Sequence, residues 1–159
     1  MPVAVIGIGQ RLRGDDAAGL EAVRLWQRVF VQTAARPDIR VHMVEEPGLD
    51  LLDLLEGMDA AVLVDAVCSH GDAGTLHHIS PSDLAKTQEN PASAHGWGVA
   101  QALRLGSALD TRARQPVLRL LGIEASHVEI GEGLSEPVRQ SLAAASEAIQ
   151  DEVVSLLKS

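Results

Sequence analysis

A chain of 159 residues is the size of one domain, and a 46% hydrophobic composition supplies enough apolar surface for a single sizeable core. A formal charge of −9, from 13 Lys and Arg against 22 Asp and Glu, argues against a nucleic-acid partner, because phosphate recognition needs a basic patch. Cys68 is the only cysteine, which excludes an internal disulfide. No apolar run reaches the ~20 residues that span a bilayer, so the expectation is a cytoplasmic protein with no membrane insertion.

The N-terminal segment MPVAVIGIGQRLRG lacks the basic start and apolar core of a signal peptide. Its residues 3–8 instead read as a buried strand ending in glycines. A helix is expected next, because Leu20, Val23, Trp26 and Phe30 recur at helical spacing and Asp15 and Asp16 are placed to cap its first turn. Pro37 ends that pattern, and Ile39–Val44 supplies a second strand running into Glu45-Glu46-Pro47-Gly48. A short helix through Leu49, Leu52 and Leu55 closes at Gly57. The run AAVLVDAV, residues 60–67, is a third strand with Asp65 near its carboxyl end, and Gly74–Ser80 is a fourth, more exposed one. Residues 80–93 are polar and irregular, and Ser93-Ala94-His95-Gly96-Trp97-Gly98 leads into a helix through Val99, Ala102, Leu103 and Leu105. Val117–Glu124 is a fifth strand. The last helix is capped by Ser135, carries Pro137 in its first turn, and aligns Val138, Leu142, Ala145, Ile149, Val153 and Leu156 on one face.

The order βαβαββαβα calls for an α/β fold of one domain over residues 1–159, with a mostly parallel five-stranded sheet between helical layers. Aromatic residues are scarce, so an aliphatic core is expected. Ligands of such sheets bind beyond the carboxyl ends of the strands. That rule directs attention to the loop after the first strand, the end of the second, Asp65 and the turn around His95.

Gly7-Ile8-Gly9 invites a dinucleotide reading, but Leu12 stands where the third glycine of G-x-G-x-x-G belongs. Two carboxylates, Asp15 and Asp16, also occupy the helix start that would receive a pyrophosphate, and they repel phosphate. Simple helix capping accounts for one of these acids. A second beside it is costly unless a cation or donor shares the site, so Asp15 is assigned mainly to capping and Asp16 to chemistry. Asp65 lies in an aliphatic strand, where a carboxylate is expensive to bury unless paired. A hydrogen bond to a neighbouring loop would satisfy it, but its place at a strand's carboxyl end favours function. A lone histidine is ordinarily a surface or core residue. Flanked by Gly96 and Gly98 and set at the same edge as two acids, His95 instead completes an Asp-Asp-His set suited to Ni²⁺, Zn²⁺, Mn²⁺ or Fe²⁺.

The other histidines carry less weight. His77 and His78 are adjacent on a strand and face opposite sides, so they cannot share one ion, and His42, His70 and His127 lie on a strand and in loops. Cys68 reads as a small buried or loop residue rather than a nucleophile. No G-x-S-x-G elbow supports a Ser-His-Asp hydrolase.

Gly7-Ile8-Gly9-Gln10, Leu12, Gly14-Asp15-Asp16 and Gly19 resemble the opening of the hydrogenase maturation proteases. Glu46-Pro47-Gly48, Val64-Asp65-Ala66, Ser93 with His95, and Gly133-Leu134-Ser135 follow in the order of that family, so the resemblance runs over nearly the whole chain. It implies a three-layer α/β/α sandwich. It also implies an endopeptidase that removes the C-terminal extension of a nickel-loaded [NiFe] hydrogenase large-subunit precursor. The resemblance assigns Asp16, Asp65 and His95 to contact with nickel presented by the substrate, so the resting enzyme need hold no metal. Three positions depart from the family pattern: Gln10 replaces an asparagine, Ala17 replaces a glycine after the acid pair, and Gly96-Trp97-Gly98 follows His95. From the residues alone, the same three ligands would equally serve a non-catalytic, metal-dependent chaperone or inspection protein for a metalloenzyme subunit.

Overall fold

The structure, a computed structural model, describes residues 1–45, 50–79, 115–126, 128, 130–131 and 133–159. Five strands, β1 (Val3–Ile8), β2 (Ile39–Val44), β3 (Ala60–Val67), β4 (Leu76–Ile79) and β5 (Val117–Glu124), form one sheet in the order β2-β1-β3-β5-β4. The first three and β5 run parallel, and β4 closes one edge antiparallel to β5. Strands β1 and β3 consist of Val, Ile, Leu and Ala plus Asp65 and Gly7, and every residue of both is buried. The edge strands β2 and β4 are only partly covered.

Alternation along the strands divides the core into two layers. On one face Val3, Val5, Val62 and Val64 pack against α1 (Ala18–Val29) and α4 (Glu136–Lys158) through Val23, Trp26, Ile149 and Val153. On the other, Ala4, Ile6, Ile8, Ala61, Leu63 and Leu120 meet Leu51 and Leu55 of α3 (Asp50–Leu55). The sandwich of helices on both sides of a mostly parallel sheet is the architecture expected from the element order. A short helix, α2 (Val31–Ala34), follows α1 and was not anticipated.

Among the described residues, the aliphatic core has one fully buried aromatic exception. Trp26 is fully buried, and its indole N–H donates to Gln150 Oε1 at 2.9 Å, which spares the core an unmet donor. Gln150 Nε2 then donates to Thr33 Oγ1 at 3.0 Å, linking α4 to α2.

Capping is where the sequence reading needs correction. Asp15 and Asp16 lie in a 3₁₀ turn, Gly14–Ala17, that precedes α1, and no side chain caps either element. Ser135 flanks α4 with Pro137 in the first turn, as anticipated, but its hydroxyl is not a cap either; it donates to Asp15. In both cases a tertiary partner has taken a group that local propensity assigns to the helix end. The fourth strand is shorter than anticipated, and Phe30 lies just past α1. The helix anticipated through Val99–Leu105, along with Glu46-Pro47-Gly48 and His95, falls outside the described residues.

Candidate active site

The winding of the sheet decides where the site lies. The connection from β1 leads by α1 to β2 on one side, whereas β3, reached by α3, pairs on the other side of β1. Strand order thus reverses between β1 and β3, and in open α/β sheets the crevice at such a switch point receives the ligand. Asp16 follows β1 and Asp65 lies near the carboxyl end of β3, so the two acids flank the switch point from its two sides.

Close backbone approaches fix the first of these elements. A Cβ on Gly19 would stand 2.3 Å from the Val64 carbonyl oxygen and 2.5 Å from that of Ile8. The start of α1 therefore rests directly across the ends of β1 and β3, where no side chain fits. A Cβ on Gly9 would lie 2.0 Å from the Asp16 carbonyl oxygen, so the glycine lets the 3₁₀ turn fold back onto the end of β1. Gly14 enters that turn in the left-handed region, at φ 56°.

A second segment braces the same turn. Gly14 N donates to Gly131 O at 2.9 Å and Gly131 N to Leu12 O at 2.8 Å, forming a one-residue parallel bridge between Arg13 and Gly131. Asp15 completes the brace. Its Oδ1 accepts from Ser135 N at 2.6 Å, and its Oδ2 accepts from Ser126 N at 2.7 Å and Ser135 Oγ at 2.7 Å. Asp15 is thus a buried clasp rather than a helix cap.

Among the described residues, four acidic side chains are buried near this edge: Asp15 at 0% exposure, Asp16 at 3%, Asp65 at 8% and Glu124 at 1%. Asp65 Oδ1 accepts the N–H of Ala66 at 2.8 Å, a local bond that orients the carboxylate at the strand end. The exposed Cys68, three residues on, registers the crowding. Burial raises its thiol pKa first, and the charges of Glu124, Asp16, Asp65 and Asp15 raise it further, in that order. One thiol therefore feels all four carboxylates.

Glu124 escaped the sequence reading, which treated it only as the end of the fifth strand. The available signal was the same as for Asp65, an acid closing an aliphatic run. Its Oε2 accepts Ser69 N at 2.9 Å, while Oε1 accepts the Ser69 hydroxyl and lies 3.1 Å from His77 Nε2. Burial pushes its carboxyl upward, but the Ser69 hydroxyl and N–H and then His77 more than offset this, leaving Glu124 below the ordinary glutamate value. The two strand histidines do face opposite ways: His77 meets Glu124, and His78 Nδ1 lies 3.5 Å from Glu152 of α4.

Of the three residues singled out in the sequence, Asp16 and Asp65 stand at the same edge of the sheet, and His95 lies outside the described residues. Among the described residues, no group of three or more His, Cys, Asp or Glu is arranged to hold a metal ion. The two acids offer oxygen donors, and any third donor has to come from elsewhere.

Known proteins match this architecture. The solved structure of the hydrogenase maturating endopeptidase HybD from E. coli superimposes with a TM-score of 0.81 at 23% identity, covering 98% of this chain and 93% of that one. The [NiFe] hydrogenase maturation protease HybD from Thermococcus kodakarensis gives a TM-score of 0.77 at 26% identity, covering 96% and 99%. Protein FrxA of Pyrococcus furiosus is 26% identical over 139 residues, 86% of this chain and 93% of its own. Residues 46–152, about two thirds of the chain, match the HycI hydrogenase maturation protease family model, so the chain belongs to the hydrogenase maturation proteases, a family of peptide-hydrolysing enzymes.

Proposed function

We propose that this protein is the endopeptidase that removes the C-terminal extension from a [NiFe] hydrogenase large-subunit precursor, and that it acts on precursor already loaded with nickel. The observation that carries the reading is the pair of buried acids, Asp16 from the turn after β1 and Asp65 from near the carboxyl end of β3, at the switch point of the sheet. Acids buried together are costly to keep ionised, and a cation arriving at the site relieves that cost. The nickel centre of the substrate is such a cation. Asp16 and Asp65, with His95 as nitrogen donor, would contact it and recognise the loaded state.

The chain's own residues then do three things in this reading. The acids attract and orient the metal-bearing end of the precursor. The rigid 3₁₀ turn, held by Gly9 and the Asp15 clasp, keeps Asp16 at a fixed height above the strands. A fixed orientation of the extension relative to the acids lowers the entropic part of the barrier to hydrolysis. The nickel of the substrate would supply Lewis-acid polarisation of the peptide carbonyl or of water. Among the described residues no helix is long and apolar enough to cross a membrane.

The test mixes the protein with nickel-loaded and nickel-free large-subunit precursor and follows the precursor by mass. Loss of a C-terminal fragment from the loaded sample alone is expected, with the loss abolished by Asp16→Asn, Asp65→Asn and His95→Ala. Tight binding of loaded precursor without cleavage would replace this reading with that of a metal-dependent chaperone.

A further inference from the structure

We propose that Glu124 is a positioning residue for the site: its buried carboxylate ties down the turn that leaves β3, and so holds Cys68 and the carboxyl end of the strand that bears Asp65 at the mouth of the site. The inference rests on the proposed protease reading for its catalytic consequence, but not for its geometry.

Register places Glu124 where such a role is possible. Asp65 pairs with Gly122, and Val67 pairs with Glu124. Strand residues two apart share a face, so Asp65 and Glu124 look out from the same face of adjacent strands. They are separated by roughly 8 Å of backbone, given a strand spacing of about 4.8 Å and a rise of about 3.3 Å per residue. His77 pairs with Gly122 from β4 and so faces the same way, as its contact with Glu124 requires.

The turn after β3 is wrapped around this one residue. Ser69 gives Glu124 both its N–H and its hydroxyl. A Cβ on Gly71 would lie 3.0 Å from Oε1, so the turn passes as close to the carboxylate as a glycine allows. The backbone repeats the grip: Gly74 N donates to Glu124 O at 2.8 Å, Glu124 N to Thr75 O at 2.9 Å, and Ala125 N to Val67 O at 2.9 Å. A hydrophobic residue of similar volume would fill the space at lower desolvation cost, yet it would leave Ser69 N–H without its acceptor. The carboxylate therefore gives the turn a single defined course: Cys68 takes its place from that course, and the ladder that sets Asp65 opposite Gly122 is closed by it at its carboxyl end.

Glutamine preserves shape and one acceptor oxygen, whereas alanine removes the anchor, so the pair of variants separates positioning from general stability. Using the full chain and nickel-loaded precursor well below the unfolding temperature, Glu124→Ala is expected to lower kcat by about tenfold or more with KM little changed, because small displacements of reacting groups cost about that much. Glu124→Gln is expected to restore most of the rate. A second readout needs no substrate: amide hydrogen exchange at Ser69, whose N–H the carboxylate accepts. Its protection should fall at least about fivefold in Glu124→Ala, as expected when a local turn opens, and stay near wild type in Glu124→Gln. Unchanged protection of Ser69 in Glu124→Ala, or an unchanged kcat beside an active wild type, would overturn the proposal. A wild-type protein that cleaves no precursor would sink the protease reading, and the exchange rates would still decide whether Glu124 positions the turn.

Discussion

Replacing Asp15 by asparagine exchanges one oxygen for an amide nitrogen, and the surroundings of that carboxylate say what this should cost. Asp15 is fully buried, and its two oxygens accept from two backbone N–H groups, Ser126 and Ser135, and from the Ser135 hydroxyl. An amide has one acceptor oxygen. Whichever way it is turned, its NH₂ faces one of the two backbone donors, and a buried donor left unmet costs about 1–3 kcal/mol. Asp15→Ala leaves both unmet, so about 2–6 kcal/mol is expected by the same reckoning. Ser135→Ala removes only the hydroxyl, for about 1–2 kcal/mol. Urea unfolding resolves the three. With a slope of about 2 kcal/mol per molar for a domain of this size, Asp15→Ala should lower the midpoint by roughly 1–3 M and Asp15→Asn by roughly 0.5–1.5 M, at unchanged slope. An Asp15→Asn protein with the wild-type midpoint, or a Ser135→Ala protein less stable than Asp15→Ala, would refute the clasp. Simple helix capping would have predicted little loss on exchange to asparagine, itself a good cap.

Two further outcomes follow from the same edge of the sheet. Gly9→Ala sets a methyl group 2.0 Å from the Asp16 carbonyl oxygen, so the turn must move; kcat/KM on loaded precursor should fall by about tenfold or more, and a wild-type value would show that Asp16 is not held by this approach. Glu124 has a lowered folded-state pKa, so the unfolded chain binds more protons at this position. Its contribution to stability is present above the ordinary glutamate value and is lost as pH falls through the depressed folded value. Between those two values the melting temperature of wild type should fall toward that of Glu124→Gln on acidification, and a gap that stays constant with pH would contradict the sign.

Much of the scaffold is legible in the sequence because burial on both faces leaves little freedom. Residues 3–8 and 60–67 are aliphatic runs that only central parallel strands explain, and Val138, Ile149 and Val153 mark the buried face of α4. Asp16 and Asp65 stand out because an acid among such residues needs a reason. What local pattern does not carry is the partner of a polar group. Asp15 and Ser135 each look like helix caps, yet they bond to each other across 120 positions. Glu124 looked like the polar end of a strand because its partners, Ser69 and His77, are joined to it only by the register of three strands. Trp26 was correctly placed on a helix face, but Gln150, which makes its burial affordable, lies 124 residues away.

The Asp15 clasp also imposes an order on folding. Its donors, Ser126 and Ser135, belong to the last fifth or so of the chain, whereas Asp16 belongs to the first. A nascent polypeptide that has not yet emerged as far as Ser135 can build β1 and the start of α1, but it cannot satisfy the carboxylate that sets the turn bearing Asp16. Non-local closures of this kind come late, since their loop entropy must be overcome before any contact rewards it. A chain that stops short of Ser135 thus lacks the clasp that holds the turn bearing Asp16.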